Sequence, residues 1–254
     1  MLIIMAADYV GYHIVNFLCS RHEKIEVFIY DPDDRGNYNK RMIDLVKSSG
    51  SGTRIYSYQE LKSLELMKSI QSLTIDFGVL AWWPYIIPKE IIQLTKRGFV
   101  NTHPGYLPYN RGKHPSFWSI VEGTPFGVTL HYVDQQIDTG PVIAQRKIPV
   151  TWLDTGETLQ KRAQEEMLSL FYDFFDTIKG GSSQVCMQAQ SSGSFHLGKE
   201  LEPASIIDID KMYSARTLLN IIRGRVFDGK GSANFIDDGK KYYVTISIRS
   251  EDGE

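Results

Sequence analysis

The chain has 254 residues, about 1.7 times the roughly 150 residues of an average domain, so we expect one domain and a smaller second part. Hydrophobic residues make up 42% and aromatic residues 12% of the chain, which excludes a disordered or low-complexity protein. The 28 basic and 30 acidic residues give a formal net charge of −2, which disfavours a nucleic-acid partner. Two cysteines, no apolar run of about 20 residues and no basic leader predict a soluble, cytoplasmic, disulfide-free protein with no membrane partner.

The N-terminal half alternates between strand and helix patterns. Continuous apolar runs at residues 2–5, 25–30 and 77–81 predict buried strands. Helices are predicted over residues 58–70 and from residue 88 to 95, where a proline suits the first helical turn. Continuous apolar strands are typical of parallel sheets that helices cover on both faces. The sequence therefore predicts an α/β fold, a Rossmann-like and mostly parallel sheet flanked by helices.

Two more strands and a long helix follow. The strands are predicted at residues 127–133 and 142–149. The helix is predicted to begin with Asp154 as its N-cap and Glu157 as the partner in a capping box, and to end at two glycines, residues 180 and 181. We therefore expect the chain to change character at this point.

A small α+β tail forms the rest of the chain. We divide the sequence into a catalytic domain, residues 1–180, and a C-terminal domain, residues 181–254. The Asp238-Gly239 pair between two apolar runs predicts a β-hairpin in the tail. A tail of this size is close to the lower limit for independent stability, so we expect it to support the catalytic domain or to form a dimer. Its removal should then reduce solubility before it affects the chemistry.

Three polar residues that follow predicted strands form a candidate catalytic group: Asn101, His103 and Asp138. An amide N–H and an imidazolium can stabilise the oxyanion that forms when an amine attacks a carbonyl, and a carboxylate can orient the imidazole or accept the amine's proton. These residue types suit acyl transfer to an amine. The alternative is structural: Asn101 caps a turn, His103 packs against a proline, and Asp138 stabilises a tight turn.

Two segments of the sequence resemble a known family. FVNTHPGYLPYNRGKHP, residues 99–115, and GVTLHYVDQQIDTGPVIAQ, residues 127–145, resemble the formyltransferases that use 10-formyltetrahydrofolate. The resemblance covers residues 70–180 and implies the formyltransferase fold, 10-formyltetrahydrofolate as the cofactor, and catalytic roles for Asn101, His103 and Asp138.

A subgroup is indicated as well. The variant HPGYLPYNRGKHPSFW and the C-terminal segment look like those of the sugar N-formyltransferases. This likeness implies a nucleotide-linked amino sugar as the substrate, with dTDP-4-amino-4,6-dideoxyglucose as the first choice. It also implies a homodimer and a part in lipopolysaccharide O-antigen biosynthesis.

The same resemblance implies binding residues for both reactants. The folate would contact Trp83, Tyr85, Ile86, Ile87, Leu107, Asp134 and Gly140. The nucleotide sugar would contact Asp8, Tyr9, Tyr106, Tyr109, Arg111, Lys113 and His114. Cations suit a diphosphate and tyrosine rings suit a base, although the two cations could equally be solvated loop charges and the tryptophan a core residue.

Other functions remain as alternatives. The first β-α turn lacks a G-x-G-x-x-G pattern, so a dinucleotide cofactor is not expected, and the histidines and cysteines lack metal-ligand spacing, so no metal is expected. One alternative is a formyltransferase that acts on methionyl-tRNA or on a purine precursor. Another is a nucleotide-binding module that has kept the fold without turnover.

Overall fold

The computed structural model describes residues 1–33, 36–182, 184–189, 193–227 and 231–251. Its main sheet contains the strands β1 Leu2–Ala6, β2 Ile25–Tyr30, β3 Arg54–Ser57, β4 Phe77–Ala81, β5 Phe99–His103, β7 Phe126–Tyr132 and β8 Val142–Ile148. The smaller strands are β6 Arg111–Gly112, β9 Phe195–His196, β10 Ala233–Asp237 and β11 Lys240–Val244. The α-helices are α1 Asp8–Ser20, α2 Tyr38–Ser48, α3 Leu64–Gln71, α4 Lys89–Ile92, α5 Pro115–Glu122, α6 Gly156–Gly180, α7 Leu201–Ala204 and α8 Ala215–Gly224. Two 3₁₀ turns span Tyr58–Lys62 and Gly198–Glu200.

The seven-stranded sheet has the order β3-β2-β1-β4-β5-β7-β8. The strands from β3 to β5 pair in parallel, and β7 pairs antiparallel to β5. This confirms the predicted α/β class with a mostly parallel sheet. The strand order reverses between β1 and β4, and ligands of open α/β sheets bind beside such a reversal, beyond the carboxyl ends of the strands.

The chain forms two compact units, each built from three segments. Unit 1 consists of Met1–His103, Thr129–Gln145 and Glu166–Gln188. Unit 2 consists of Pro104–Val128, Arg146–Glu165 and Ala189–Glu254. The predicted boundary at residue 180 separates two parts of the chain that could fold independently. The two compact units do not test that boundary, which stays a prediction.

Apolar side chains of strands and helices form the core of unit 1. The buried members of one cluster are Ile3, Met5, Val27, Ile29, Leu61, Ile70, Ile75, Leu80, Ile87, Ile91, Leu94 and Phe99. Burial of the apolar runs in β1, β2 and β4 agrees with the continuous pattern that predicted them. None of the helices in the described ranges is long and apolar enough to span a lipid bilayer.

The start of α6 differs from the prediction by one residue. Thr155, not Asp154, is the N-cap, because its Oγ1 accepts the N–H of Thr158 at 3.2 Å while the Thr158 hydroxyl accepts the N–H of Thr155 at 2.9 Å. The Asp154 carboxylate instead accepts hydrogen bonds from the main chain and hydroxyl of Thr151 and from Arg162. The helix ends at Gly180 as predicted, and Gly181 has a φ of 71°.

The predicted terminal hairpin is present as β10 and β11. Asp238 and Gly239 have φ values of 46° and 74°, the two positive angles of a type I′ turn, whose twist matches that of the strands. Other elements were not predicted, among them the edge strand β3, which has few apolar residues, the short parallel pair of β6 with β9, and the helix α7.

Candidate active site

Strand β5 brings two of the candidate residues to one face of the sheet. Asn101 and His103 are two positions apart, so their side chains point the same way. Thr102 points to the opposite face, where its hydroxyl donates to the carbonyl of Leu80 at 3.1 Å and accepts the N–H of Trp82 at 2.7 Å. These bonds fix the ends of β4 and β5 against each other, so the side chains of the two candidate residues project from a fixed edge.

The loop after β7 positions Asp138. The Asp134 carboxylate accepts the hydroxyl of Thr139 at 2.7 Å and the N–H of Gln136 at 3.1 Å, which closes the loop on itself. A Cβ on Gly140 would lie 1.8 Å from the carbonyl oxygen of Tyr132, so only glycine allows this close approach. Asp138 itself has a φ of 54°, in the left-handed region that aspartate tolerates. The loop therefore fixes the position of the Asp138 carboxylate.

The three candidate catalytic residues lie together. Asp138 Oδ2 is 3.3 Å from His103 Nδ1, and Asp138 Oδ1 accepts a hydrogen bond from Asn101 Nδ2 at 3.2 Å. His103 is only 3% exposed. The geometry disagrees with the alternative in which each residue has its own local structural role, because the imidazole and the amide share a single carboxylate. Their catalytic roles remain a prediction.

Two further residues belong to this cluster, and the sequence did not indicate them. His131 on β7 pairs in register with Asn101, and its Nε2 lies 3.1 Å from Asn101 Nδ2. Gln188 donates from Nε2 to the main-chain carbonyls of Asp138, at 3.1 Å, and Gly140, at 2.7 Å. The pairing of β5 with β7 would have pointed to His131, but no signal in the sequence indicated Gln188.

An aromatic wall lies beyond the end of β4. The rings of Tyr58 and Tyr85 stack at 5.0 Å, and Trp83 meets both rings edge-on. The Tyr85 hydroxyl lies 2.8 Å from Asp31 Oδ1 and 2.9 Å from Asp33 Oδ2, and its one hydrogen can be donated to either carboxylate. Burial, together with these two carboxylates, raises the pKa of Tyr85 above its ordinary value, so the phenol is a neutral donor at neutral pH.

The other residues expected to bind folate have different surroundings. Ile86 is exposed, whereas Ile87 packs into the core cluster of unit 1 and Leu107 is buried in unit 2. Asp134 and Gly140 shape the loop that carries Asp138. In the part of the chain that the structure describes, no three histidine, cysteine or acidic side chains are arranged to hold a metal ion.

The residues expected to bind the nucleotide sugar are divided between the units. Asp8 and Tyr9 begin α1 in unit 1. Tyr106, Tyr109, Arg111, Lys113 and His114 belong to unit 2. The main chain of Arg111 and Lys113 is held by β9, through bonds to the carbonyls of Ser194 and His196.

His114 occupies the turn before α5 with a φ of 59°. Desolvation of its ring and the cations Lys113 and Arg225 lower the pKa of His114. Near neutral pH the imidazole therefore favours its uncharged form, so the positive charge of this loop comes from Arg111 and Lys113.

Comparison with known proteins identifies the class. The chain belongs to the formyltransferase family: the family model described as formyl transferase matches residues 15–173. A second model, the N-formyltransferase dimerization C-terminal domain, matches residues 200–250.

Among particular relatives, a dTDP-4-amino-4,6-dideoxyglucose formyltransferase of Mycobacterium tuberculosis is 34% identical over 153 residues. That alignment covers 60% of this chain and 65% of the relative, so it spans less than two thirds of the relative's length. A methionyl-tRNA formyltransferase of Thermodesulfovibrio yellowstonii is 28% identical over 211 residues, which cover 82% of this chain and 67% of that protein.

Solved structures agree with the family. Rv3404c of Mycobacterium tuberculosis, provisionally assigned as a sugar N-formyltransferase, superposes with a TM-score of 0.81 at 25% identity, over 99% of this chain and 98% of that one. The formyltransferase PseJ of Anoxybacillus kamchatkensis, solved with UDP-4,6-dideoxy-4-formamido-L-AltNAc and tetrahydrofolate, has a TM-score of 0.55 at 26% identity, over 80% and 88% of the two chains.

Proposed function

We propose that this protein is a sugar N-formyltransferase, which transfers a formyl group from 10-formyltetrahydrofolate to the amine of a nucleotide-linked amino sugar. The first candidate acceptor is dTDP-4-amino-4,6-dideoxyglucose, the substrate in the name of the Mycobacterium tuberculosis relative. The observation that carries the proposal is the convergence of Asn101 and His103 on Asp138 at the carboxyl edge of the sheet, in a chain of the formyltransferase family.

His103 is suited to move the proton of the amine. Because Asp138 Oδ2 lies beside Nδ1, it favours the tautomer with its hydrogen on Nδ1 and leaves the Nε2 lone pair to accept a proton. An amine must lose a proton when it forms an amide, and the nitrogen that gives up the formyl group must gain one. The protonated imidazole could hydrogen-bond to the oxygen that gains negative charge and then give the proton to the leaving nitrogen. The carboxylate stabilises this imidazolium at short range.

Asn101 is suited to a second donor role beside it. Its Nδ2 group carries two hydrogens and lies within hydrogen-bond distance of His131 Nε2 and Asp138 Oδ1, so it would present an N–H to an oxygen that gains charge by turning one hydrogen away from these partners. Removing one such donor typically lowers the turnover rate by about 100- to 1000-fold.

The aromatic wall of unit 1 fits a folate. When bound, 10-formyltetrahydrofolate supplies an activated formyl group. Trp83, Tyr58 and Tyr85 offer flat apolar faces beside the exposed side chain of Ile86, and planar heterocycles bind to such surfaces. The Trp83 Nε1–H is buried and has no hydrogen-bond partner among the described residues. This N–H can therefore donate a hydrogen bond to an acceptor atom of a bound ligand. Asp134 and Gly140 would act indirectly, by shaping the loop.

The nucleotide part of the acceptor is assigned to the remaining candidates. Arg111 and Lys113 would bind the diphosphate, as a guanidinium does bidentately and an ammonium does as a point charge. Tyr106 and Tyr109 would contact the base or sugar. We also propose a cytoplasmic homodimer formed through the C-terminal segment, for which the matched dimerization domain at residues 200–250 is the support.

Mass spectrometry of nucleotide-linked amines after incubation with protein and 10-formyltetrahydrofolate tests the proposal. The panel contains dTDP-linked 4-amino and 3-amino sugars and a UDP-linked 4-amino sugar, and the expected result is formylation of at least one of them. Methionyl-tRNA is included because a methionyl-tRNA formyltransferase also matches this chain. Formylation of the tRNA alone, or of no acceptor, would contradict the proposed substrate class.

A further inference from the structure

His131 is a buried imidazole to which neither the sequence nor the proposed mechanism gives a role. It is 2% exposed on β7, directly opposite Asn101 in the antiparallel pair. Its Nδ1 lies 2.9 Å from the main-chain oxygen of Tyr132. A carbonyl oxygen can only accept a hydrogen bond, so Nδ1 must carry the hydrogen.

This tautomer determines what the other ring nitrogen can do. A neutral imidazole with its hydrogen on Nδ1 has a lone pair on Nε2. This nitrogen lies 3.1 Å from Asn101 Nδ2 and 3.5 Å from Asp138 Oδ1, and because a carboxylate oxygen only accepts, the amide is the neighbour that can donate to it. The second hydrogen of the same amide is directed to Asp138 Oδ1 at 3.2 Å. The opposite orientation of the Asn101 amide would place its oxygen against the carboxylate, so the two neighbours select the same orientation.

The bonds form one continuous chain in which the Asn101 amide donates in both directions. His131 donates to the Tyr132 carbonyl and accepts from Asn101, which also donates to Asp138, and the Asp138 carboxylate faces Nδ1 of His103. Hydrogen bonds in such chains polarise one another. The Asn101 amide, which donates to Asp138, is therefore anchored through His131 to the main-chain carbonyl of Tyr132.

We propose that His131 is the fourth member of the site, a positioning residue that holds the Asn101 amide through its Nε2 lone pair. The inference rests on the proposed formyl transfer for its kinetic consequence but not for its structural one. With one amide hydrogen held by His131, the other, which is directed to Asp138 Oδ1, is the hydrogen that Asn101 would turn to a reactant. Loss of the Nε2 acceptor lets the amide rotate, which should lower kcat without weakening substrate binding.

A pair of amide substitutions of different length tests the role. His131→Gln can place an amide oxygen close to the position of Nε2, whereas His131→Asn is too short to reach Asn101 and keeps only the donor near Nδ1. We expect His131→Gln to retain kcat within about 3-fold, and His131→Asn to lose about 10- to 100-fold in kcat with KM values unchanged. The proposal is overturned if both variants lose kcat equally and each loss matches the fraction of the protein that is unfolded. It is also overturned if His131→Asn has an unchanged kcat.

A second measurement is independent of any activity. The ¹⁵N NMR spectrum of the histidine rings in the unliganded protein, with His131 assigned by the signals that disappear in His131→Gln, should show hydrogen on Nδ1 and a bare Nε2. A ring with hydrogen on Nε2 would contradict the proposal, whether or not formyl transfer occurs. If the ring has the expected tautomer but no acceptor is formylated, the proposed function fails and the hydrogen-bond chain stands.

Discussion

The two units use buried polar side chains differently. In unit 1, an amide, two imidazoles and a carboxylate bond mainly to one another around Asp138. In unit 2, the guanidinium of Arg223, 6% exposed, donates to the main-chain carbonyls of Thr151 at 2.7 Å and Asp154 at 2.8 Å and to Asn220 Oδ1 at 2.9 Å.

The difference lies in the chemistry of the partners. A guanidinium stays protonated at any working pH and main-chain carbonyls only accept, so the Arg223 network can hold the chain but cannot transfer protons. An imidazole has one ring nitrogen that can donate and one that can accept, so it can pass a proton between two partners. We therefore expect substitutions in the first group to reduce turnover and substitutions in the second to reduce stability.

The largest effect is expected at Asp138. In Asp138→Asn the carboxylate that orients His103 becomes an amide, which favours the wrong tautomer, so kcat should fall by about 1000-fold or more while the midpoint of thermal unfolding changes little. Steady-state kinetics and differential scanning calorimetry measure the two quantities. The exposed Asp237→Asn on β10 is the control and should change neither. A large loss of stability in Asp138→Asn would remove the contrast between the units.

Arg223 should show the opposite behaviour. In Arg223→Met two buried carbonyls and an amide oxygen lose their donor, so the free energy of unfolding should fall by about 3 kcal/mol while kcat per folded molecule is kept. Urea unfolding measures the change. Arg216→Met is a matched control, because both guanidinium groups lie over the Trp152 ring, at 4.8 and 4.9 Å, but Arg216 is exposed. Equal destabilisation by the two variants would show that the buried hydrogen bonds contribute little.

Gln188 tests whether the loop that carries Asp138 depends on the segment after α6. Gln188→Leu removes the donor to the carbonyls of Asp138 and Gly140, so we expect kcat to fall by about 10-fold through a looser loop. The exposed Gln184→Leu in the same segment is the control. Unchanged kcat in both variants would mean that the loop holds its own shape. Because Gln188 lies beyond residue 181, truncation there should now impair turnover as well as solubility.

The smallest effect is a pH dependence at Asp154. Burial raises the pKa of this carboxyl, but hydrogen bonds from the main chain and hydroxyl of Thr151 and from Arg162 outweigh it, so the pKa lies below its ordinary value. A carboxyl with a lowered pKa in the folded state stabilises it at a pH above the unfolded-state value of about 3.9, and this stabilisation disappears as the pH falls through the folded-state value.

Comparison of the wild type with Asp154→Asn measures that contribution. The difference in the free energy of unfolding, about 1 kcal/mol near pH 6, should shrink as the pH approaches 3. Urea unfolding over this pH range checks the sign. A difference that grows in acid would contradict the assigned direction of the pKa shift.

The sequence predicted the parts of the fold that depend on local pattern. Apolar runs identified β1, β2 and β4, and Asp238-Gly239 identified the hairpin, because strand burial and turn geometry are encoded by neighbouring residues. The edge strand β3 was missed because its side chains are only half buried and carry no continuous apolar run.

The candidate site was predicted in part for the same reason. Asn101, His103 and Asp138 could be found from residue types and family strings, although the structure places Asn101 and His103 on β5 itself and only Asp138 in a loop after a strand. His131 depends on the register of β5 with β7, and Gln188 on the return of the chain after α6. Such contacts between distant segments are set by tertiary packing, which spacing along the sequence does not report.

Transfer of a labelled formyl group tests the central claim most directly. The protein is incubated with 10-formyltetrahydrofolate labelled with ¹³C in the formyl group and with dTDP-4-amino-4,6-dideoxyglucose, and the sugar nucleotide is analysed by mass spectrometry and NMR. We predict a ¹³C-formamide on the sugar with the wild type and almost none with Asp138→Asn over the same time. Absence of label from every nucleotide-linked amine in the panel, or equal labelling by the variant, would contradict the account.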